Sequence, residues 1–219
     1  MSGDRASLDG QKNHWQNVFE RNPDMYGAHP SEPGRFAVDL FTREAADDVV
    51  ELGAGQGRDT LAFLAAGLRV TALDFAEDAL VSLHQTAERL GVGARLTAVV
   101  HDVRETLPLP DSSQDAAYSH MLFNMALSTP ELEALASEVH RVLRPGGVHV
   151  YTVRHIGDSH HGTGVSHGDA MFENGGFIVH FFDRALVDRL ATGFTDLEVS
   201  AFEEGELPRR LWRITMQKQ

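Results

Sequence analysis

Hydrophobic positions along this chain keep two alternating periods. Short β-rich runs bounded by glycine, proline or Asx residues fall at Asp48 to Leu52, Arg69 to Asp74, Arg95 to Val100, Asp115 to Ser119 and Val148 to Val153. Between them, apolar residues recur three and four apart, the spacing of one helix face. Helices are predicted from near Asp59, with Leu61, Leu64 and Ala65 inward, and over Ala76 to Leu90, Glu131 to Leu143 and Arg184 to Leu190. Pro130 opens the third of these, and Arg144-Pro145-Gly146-Gly147 closes it. Two further runs, Thr195 to Phe202 and Arg209 to Met216, predict a terminal hairpin. Strands alternating with helices imply a doubly wound α/β fold on a parallel sheet.

Before the first strand, Gln11 to Arg21 reads as an amphipathic helix with Trp15, Val18 and Phe19 on one side, ended by Asn22-Pro23. Gly27 to Gly34 reads as loop, and Ser31 as the cap of a helix carrying Phe36, Leu40 and Phe41. Residues 1–44 are therefore expected to form a helical cover segment, and residues 45–219 the rest of the same domain. With 219 residues the chain is long enough for one full α/β core and short for two.

Chemistry enters at the first strand. After Leu52, the turn Gly53-Ala54-Gly55-Gln56-Gly57 lets backbone approach a ligand closely before a helix begins, and a second strand stops at Asp74, where a carboxylate can take both hydroxyls of a ribose. The pattern reads as a nucleoside-cofactor site. A dinucleotide loop wants two residues between its second and third glycines; here that third place holds Arg58, and the glycine falls one earlier at Gly57. Glu51, just before the loop, brings negative charge better suited to a cationic ligand than to a pyrophosphate.

At these residues the chain resembles the class I S-adenosylmethionine-dependent methyltransferases, whose first motif is an acidic residue followed by a Gly-x-Gly-x-Gly turn. Asp102-Val103, after the third strand, matches the place where that family receives adenine, and Leu143 to Gly147 resembles the turn before its fifth strand. The tail Phe202 to Trp212 is similar to the terminal hairpin of tellurite-resistance-type and related thiol-directed methyltransferases. The resemblance implies a Rossmann-like sheet of seven strands, mostly parallel, with an antiparallel strand from the C-terminal hairpin. It also implies S-adenosylmethionine as cofactor, with S-adenosylhomocysteine as product. The Gly53, Ala54, Gly55 and Gly57 backbone would hold its methionine and ribose, Asp74 the ribose hydroxyls, and Asp102 with Val103 the adenine. Glu51, Phe75 and Ser119 complete that set, Glu51 orienting the loop or the methionine ammonium.

A substrate is expected beyond the carboxyl ends of strands four and five, where open α/β sheets present their crevice. His120 is the candidate for polar or general-base contact, against a plain capping role. Trp15, Tyr26, Phe123, Arg154 and His155 are candidates to line the substrate pocket, with Met125, while Phe123 and Met125 also suit a core. No Asn/Asp-Pro-Pro-aromatic tetrad follows strand four, which weakens a nucleic-acid base as acceptor.

Six of the twelve histidines fall between His149 and His180, among glycines at 162, 164, 168, 175 and 176. They lack the paired spacing of a zinc site, so a loop without regular structure that covers the site is preferred and no metal is assigned. A net charge of −13, from 19 basic and 32 acidic residues, disfavours nucleic acid and favours a small or cationic substrate. No cysteine is present, which excludes disulfides and a thiol nucleophile. No apolar run has the length of a membrane span, and the start carries no signal-peptide core, so a cytoplasmic protein is expected. The competing readings are a nicotinamide-dependent oxidoreductase and a non-catalytic cofactor- or metal-binding protein.

Overall fold

The structure is a computed structural model that describes residues 10–11, 14–18, 29–205 and 209–219. Its frame is a seven-stranded sheet built from β1 (Asp48–Leu52), β2 (Arg69–Asp74), β3 (Leu96–Val100), β4 (Gln114–His120), β5 (Leu143–Arg154), β9 (Phe194–Glu204) and β10 (Arg209–Lys218). The strand order is β3-β2-β1-β4-β5-β10-β9. All pairs from β3 to β5 are parallel, and β10 joins antiparallel to both β5 and β9. The expected sheet, including its antiparallel C-terminal hairpin, is the one observed.

Helices cover both faces because both faces of the strands are apolar. On one side lie α1 (Glu32–Arg43), α2 (Arg58–Ala65) and α3 (Glu77–Arg89), whose Phe41, Phe63, Leu64 and Leu83 pack on Val49, Val70 and Val150. On the other lie α4 (Thr129–Val142) and α5 (Arg184–Leu190), with Leu135, Val139 and Val187 packed on Val50, Tyr151 and Ile214. Local chemistry sets the starts. Ser31 Oγ accepts the Gly34 N–H at α1, Asp183 accepts the Leu186 N–H at α5, and Ser128 with Glu131 forms a capping box at α4.

Two expectations change. Gly34 lies inside α1 rather than in a loop, because Pro33 suits the first turn of a helix that Ser31 has already capped. Its lack of a side chain makes room for Asp59, which a Cβ there would meet at 2.4 Å. The histidine-rich stretch is not structureless either. It folds as three short antiparallel strands, β6 (Val165–Gly168), β7 (Met171–Asn174) and β8 (Phe177–His180). The pattern is hard to see in the sequence, since the strands are only four residues long and are joined by left-handed residues, Asp169 and Ala170 between β6 and β7 and Gly175 and Gly176 between β7 and β8.

Among the described residues, 10–11 and 14–18 are helical, and they dock on this small sheet. Gln11 Nε2 donates to Gly176 O at 2.9 Å, its Oε1 accepts the Ile178 N–H, and Trp15 meets Phe177 at 5.0 Å between ring centroids. No described helix is long and apolar enough to cross a membrane.

Candidate functional site

The chain runs from β1 outward through β2 to β3, then returns to place β4 on the other side of β1. That reversal leaves a crevice above the carboxyl ends of β1 and β4, and the glycine loop stands in it. Gly53, Gly55 and Gly57 all have positive φ, at 71°, 53° and 83°. Gly57 is the left-handed entry to α2, and a Cβ on it would collide with the buried Leu83 at 2.1 Å. Gly53 and Ala54 donate their N–H groups to Leu73 O, which ties the loop to β2.

A cleft open to solvent lies beside this loop and is walled by Gly53, Asp74, Phe75, Asp102 and Val103, with Trp15 also lining it. Asp74 Oδ2 accepts the Gly55 N–H at 2.7 Å and Oδ1 the Ala76 N–H at 2.8 Å. Burial pushes its carboxyl above the usual range, and the N–H groups of Ala76, Gly55 and Phe75 oppose that rise. Asp102 is held by Arg104, whose Nη2 donates to Oδ2 at 2.7 Å and whose backbone N–H donates to Oδ1 at 3.1 Å.

Glu51 departs from its expected charge. It is buried beneath the loop, where Thr60 Oγ1 donates to its Oε2 at 2.5 Å. Burial pushes the carboxyl well above the usual range and the nearby Asp59 pushes it further, with the Thr60 bond opposing. Its proton is therefore held more tightly than that of a free carboxyl, and the group sits under the loop as a hydrogen-bonding partner of Thr60. The folded state holds this proton more tightly than the unfolded chain, so stability from Glu51 is complete below its ordinary value of 4.5 and is lost as pH rises through the folded value. Glu51→Gln keeps an acceptor for Thr60 without that loss. In urea titrations the gap between variant and wild type should move in the variant's favour as pH rises.

Asp59, in the first turn of α2, also faces inward. It accepts the Ser31 N–H at 2.7 Å, the Ser31 hydroxyl at 2.8 Å and the Tyr118 hydroxyl at 2.8 Å. It thereby locks α1, the glycine loop and β4 together.

On the substrate side, His120 stands at the end of β4 as expected, but both of its ring nitrogens are engaged. Nδ1 is 2.8 Å from Thr152 Oγ1, and Nε2 faces Glu204 Oε1 at 3.4 Å. Both ring nitrogens thus already have side-chain partners. Glu204 and Thr152 were not legible as site residues, because the hairpin's curl over the sheet edge leaves no sequence signal. Leu122, Met125 and Arg104 also line the cleft, Arg104 being foreshadowed only by its spacing from Asp102.

Four candidates are not among the residues that line this cleft. Phe123 is fully buried and stacks on Tyr151 at 4.8 Å, so it is core. Ser119 is fully buried in β4, with no hydrogen-bond partner for its hydroxyl. Arg154 is buried in an ion pair with Asp158, and His155 stacks on Trp212 with ring centroids 4.6 Å apart. Their place just past a strand end suggested the cleft, but Asp158 in the next turn takes Arg154 and Trp212 of the antiparallel β10 takes His155. Tyr26 lies outside the described residues. Among the described residues no three His, Asp or Glu side chains gather as a metal ion would require.

Comparison with known proteins gives the same reading as this geometry. Residues 49–147 match the methyltransferase domain family. A sterol 24-C-methyltransferase of Gibberella zeae is 34% identical over 103 residues, covering 46% of this chain and 26% of that protein. An uncharacterized methyltransferase of Mycobacterium tuberculosis is 35% identical over 122 residues, covering 54% of this chain and 44% of that one. The chain thus spans less than half the length of these relatives. In fold, it is similar to a Burkholderia thailandensis 1,6-didemethyltoxoflavin N1-methyltransferase solved with its substrate and S-adenosylhomocysteine. The TM-score is 0.78 at 19% identity, over 100% of this chain and 92% of that one. The motif, the strand order and these matches together identify the chain as carrying a class I S-adenosylmethionine-dependent methyltransferase domain.

Proposed function

We propose that this protein transfers a methyl group from S-adenosylmethionine to a small-molecule nucleophile by in-line displacement, in the cytoplasm. The observation that carries the reading is the cleft at the sheet's switch point, which gathers Gly53, Asp74, Phe75, Asp102 and Val103. Their chemistry fits the cofactor. Asp74 supplies acceptors for ribose hydroxyls, and Asp102 an acceptor for an exocyclic amine. Phe75, Val103 and Leu122 give apolar walls to a flat ring. The loop backbone faces the methionine end.

When bound, S-adenosylmethionine supplies a methyl already activated on a sulfonium. The protein's part is then to hold two reactants in line and to exclude water, and alignment alone contributes on the order of 7–11 kcal/mol in favourable systems. Trp15, held against Phe177 of β8, lines the cleft and would serve that exclusion. A small substrate is supported by the cover so close above the cleft, by the acidic charge of the chain, and by the likeness of fold to an enzyme solved with a small heterocycle.

Calorimetric titration with S-adenosylhomocysteine, with NADH as the control ligand, tests the reading. Tight binding of the former alone is expected. Preference for NADH, or no binding of either, would transfer the site to a different chemistry.

A further inference from the structure

A chain of hydrogen bonds at the carboxyl edge of the sheet runs in one direction. Met121, held at φ +62° immediately after β4, donates its N–H to Thr152 Oγ1 at 2.9 Å. Thr152 is fully buried, and among the described residues its hydroxyl proton has a single acceptor in reach, His120 Nδ1 at 2.8 Å. A buried hydroxyl is satisfied only by donating there. Nδ1 therefore accepts, and the neutral imidazole carries its proton on Nε2. That N–H points at Glu204, whose Oε1 lies 3.4 Å away.

Glu204 comes from the far end of the sequence, at the tip of the β9–β10 hairpin. Its side chain is one quarter exposed, so solvent or a ligand can reach it. It faces His120 from β4 and Arg209 from β10, the latter at 3.6 Å, and it feels Arg58, the first residue of α2. His120 does most to hold the carboxylate below its usual value; burial opposes, and Arg209 and Arg58 assist. His120 ends β4 and Arg58 directly follows the last loop glycine, so the charges acting on Glu204 come from the two elements that border the crevice where β1 and β4 part.

We propose that Glu204 receives the proton of the methyl-accepting atom, so that the site takes a neutral hydroxyl or amino nucleophile and disfavours a thiolate or chalcogen anion. The proposal rests on the methyl-transfer reading. The accepting atom forms its bond to the methyl carbon with its own lone pair, the carbon–sulfur pair stays on sulfur, and the X–H proton passes to Glu204 while that bond's electrons remain on X. An anionic nucleophile has no proton to give and meets like charge at close range. This departs from the likeness of the C-terminal tail to thiol-directed enzymes. His120 is then a positioning residue that aims and holds the carboxylate, and Thr152 fixes its tautomer.

Two experiments test it. In labelled protein, the imidazole nitrogen resonances of His120 should show the Nε2–H tautomer, and Thr152→Val should shift it toward Nδ1–H. An Nδ1–H ring in the wild type overturns the proposal. Next, phenol, aniline and thiophenol, acceptors of equal size, are offered with S-adenosylmethionine carrying a radiolabelled methyl. Methylation of phenol or aniline over thiophenol is expected. Glu204→Gln should lower kcat by about a hundredfold or more, the usual worth of a proton acceptor, with KM little changed. His120→Gln, which keeps a donor toward Glu204, should stay within about tenfold of wild type. If the His120 variant is the more damaged, or thiophenol is preferred, or no member of the series reacts, the proposal fails. S-adenosylhomocysteine affinity, measured on the same samples, separates that failure from failure of the methyl-transfer reading, in which no such binding is seen.

Discussion

Replacing Asp74 with alanine is expected to weaken S-adenosylhomocysteine binding by at least tenfold while leaving the sheet folded. The carboxylate is 7% exposed and stands at the joint between the cleft and the glycine loop. It already fixes the loop through the Gly55 N–H and closes the turn into α3 through the Ala76 N–H. A ligand with two vicinal hydroxyls would add hydrogen bonds to the same oxygens. Hydrogen bonds to a charged group are worth about 1.5–3 kcal/mol each, and about 1.4 kcal/mol is a factor of ten in affinity. Losing even one such ribose contact therefore predicts a rise in Kd of about tenfold to a hundredfold, and losing both more. Asp74→Asn keeps one acceptor oxygen and should fall between. Calorimetry on both variants measures this, with circular dichroism to confirm the fold; an unchanged Kd in the alanine variant would remove Asp74 from the ribose.

Much of this arrangement was legible in the sequence because it is local. The loop's function follows from three glycines at alternate positions, and the strand before it and Asp74 after it are each one element away. The alternation of periods also sufficed for the sheet, since each strand of the parallel core is bounded by turn residues. The observed limits of β1, β2 and α5 coincide with those expected, and α3, β3, β4 and α4 shift by one or two residues at their ends.

What could not be read is non-local. Glu204 and His120 are separated by more than a third of the chain, and only the fold brings them together. Arg154 and His155 follow a strand end, which in a purely parallel sheet opens on the cleft; an antiparallel neighbour supplies Trp212 and the Arg210 backbone instead. Glu51 shows a different limit. Its identity fits the motif, but its protonation depends on burial and on Asp59, which the sequence places eight positions away without showing that both face inward.

The largest loss of stability is expected from Asp158→Ala. The Asp158 side chain is fully buried, and its two oxygens accept from four donors. These are Arg154 Nε at 3.1 Å, Arg154 Nη2 at 2.5 Å, the His160 N–H at 2.9 Å and the Arg210 N–H at 2.8 Å. The carboxylate thus joins the end of β5, the turn that leads into the small sheet, and the start of β10. Removing it strands a buried guanidinium, and breaking such a pair from one side costs about 3–5 kcal/mol. Set against a typical total of about 5–15 kcal/mol, that is a large fraction of the fold's stability. Burial raises the Asp158 carboxyl, but Arg154 and the N–H groups of His160 and Arg210 outweigh it, so its value lies below the ordinary 3.8. Its contribution is therefore complete above that ordinary value and is lost as pH falls through the folded one. Urea unfolding at neutral pH should show the full difference between wild type and variant, and the difference should narrow only in strong acid. Because Arg210 directly follows Arg209, which pairs with Glu204 at the tip of the hairpin, the same substitution should also lower kcat at temperatures where the variant remains folded.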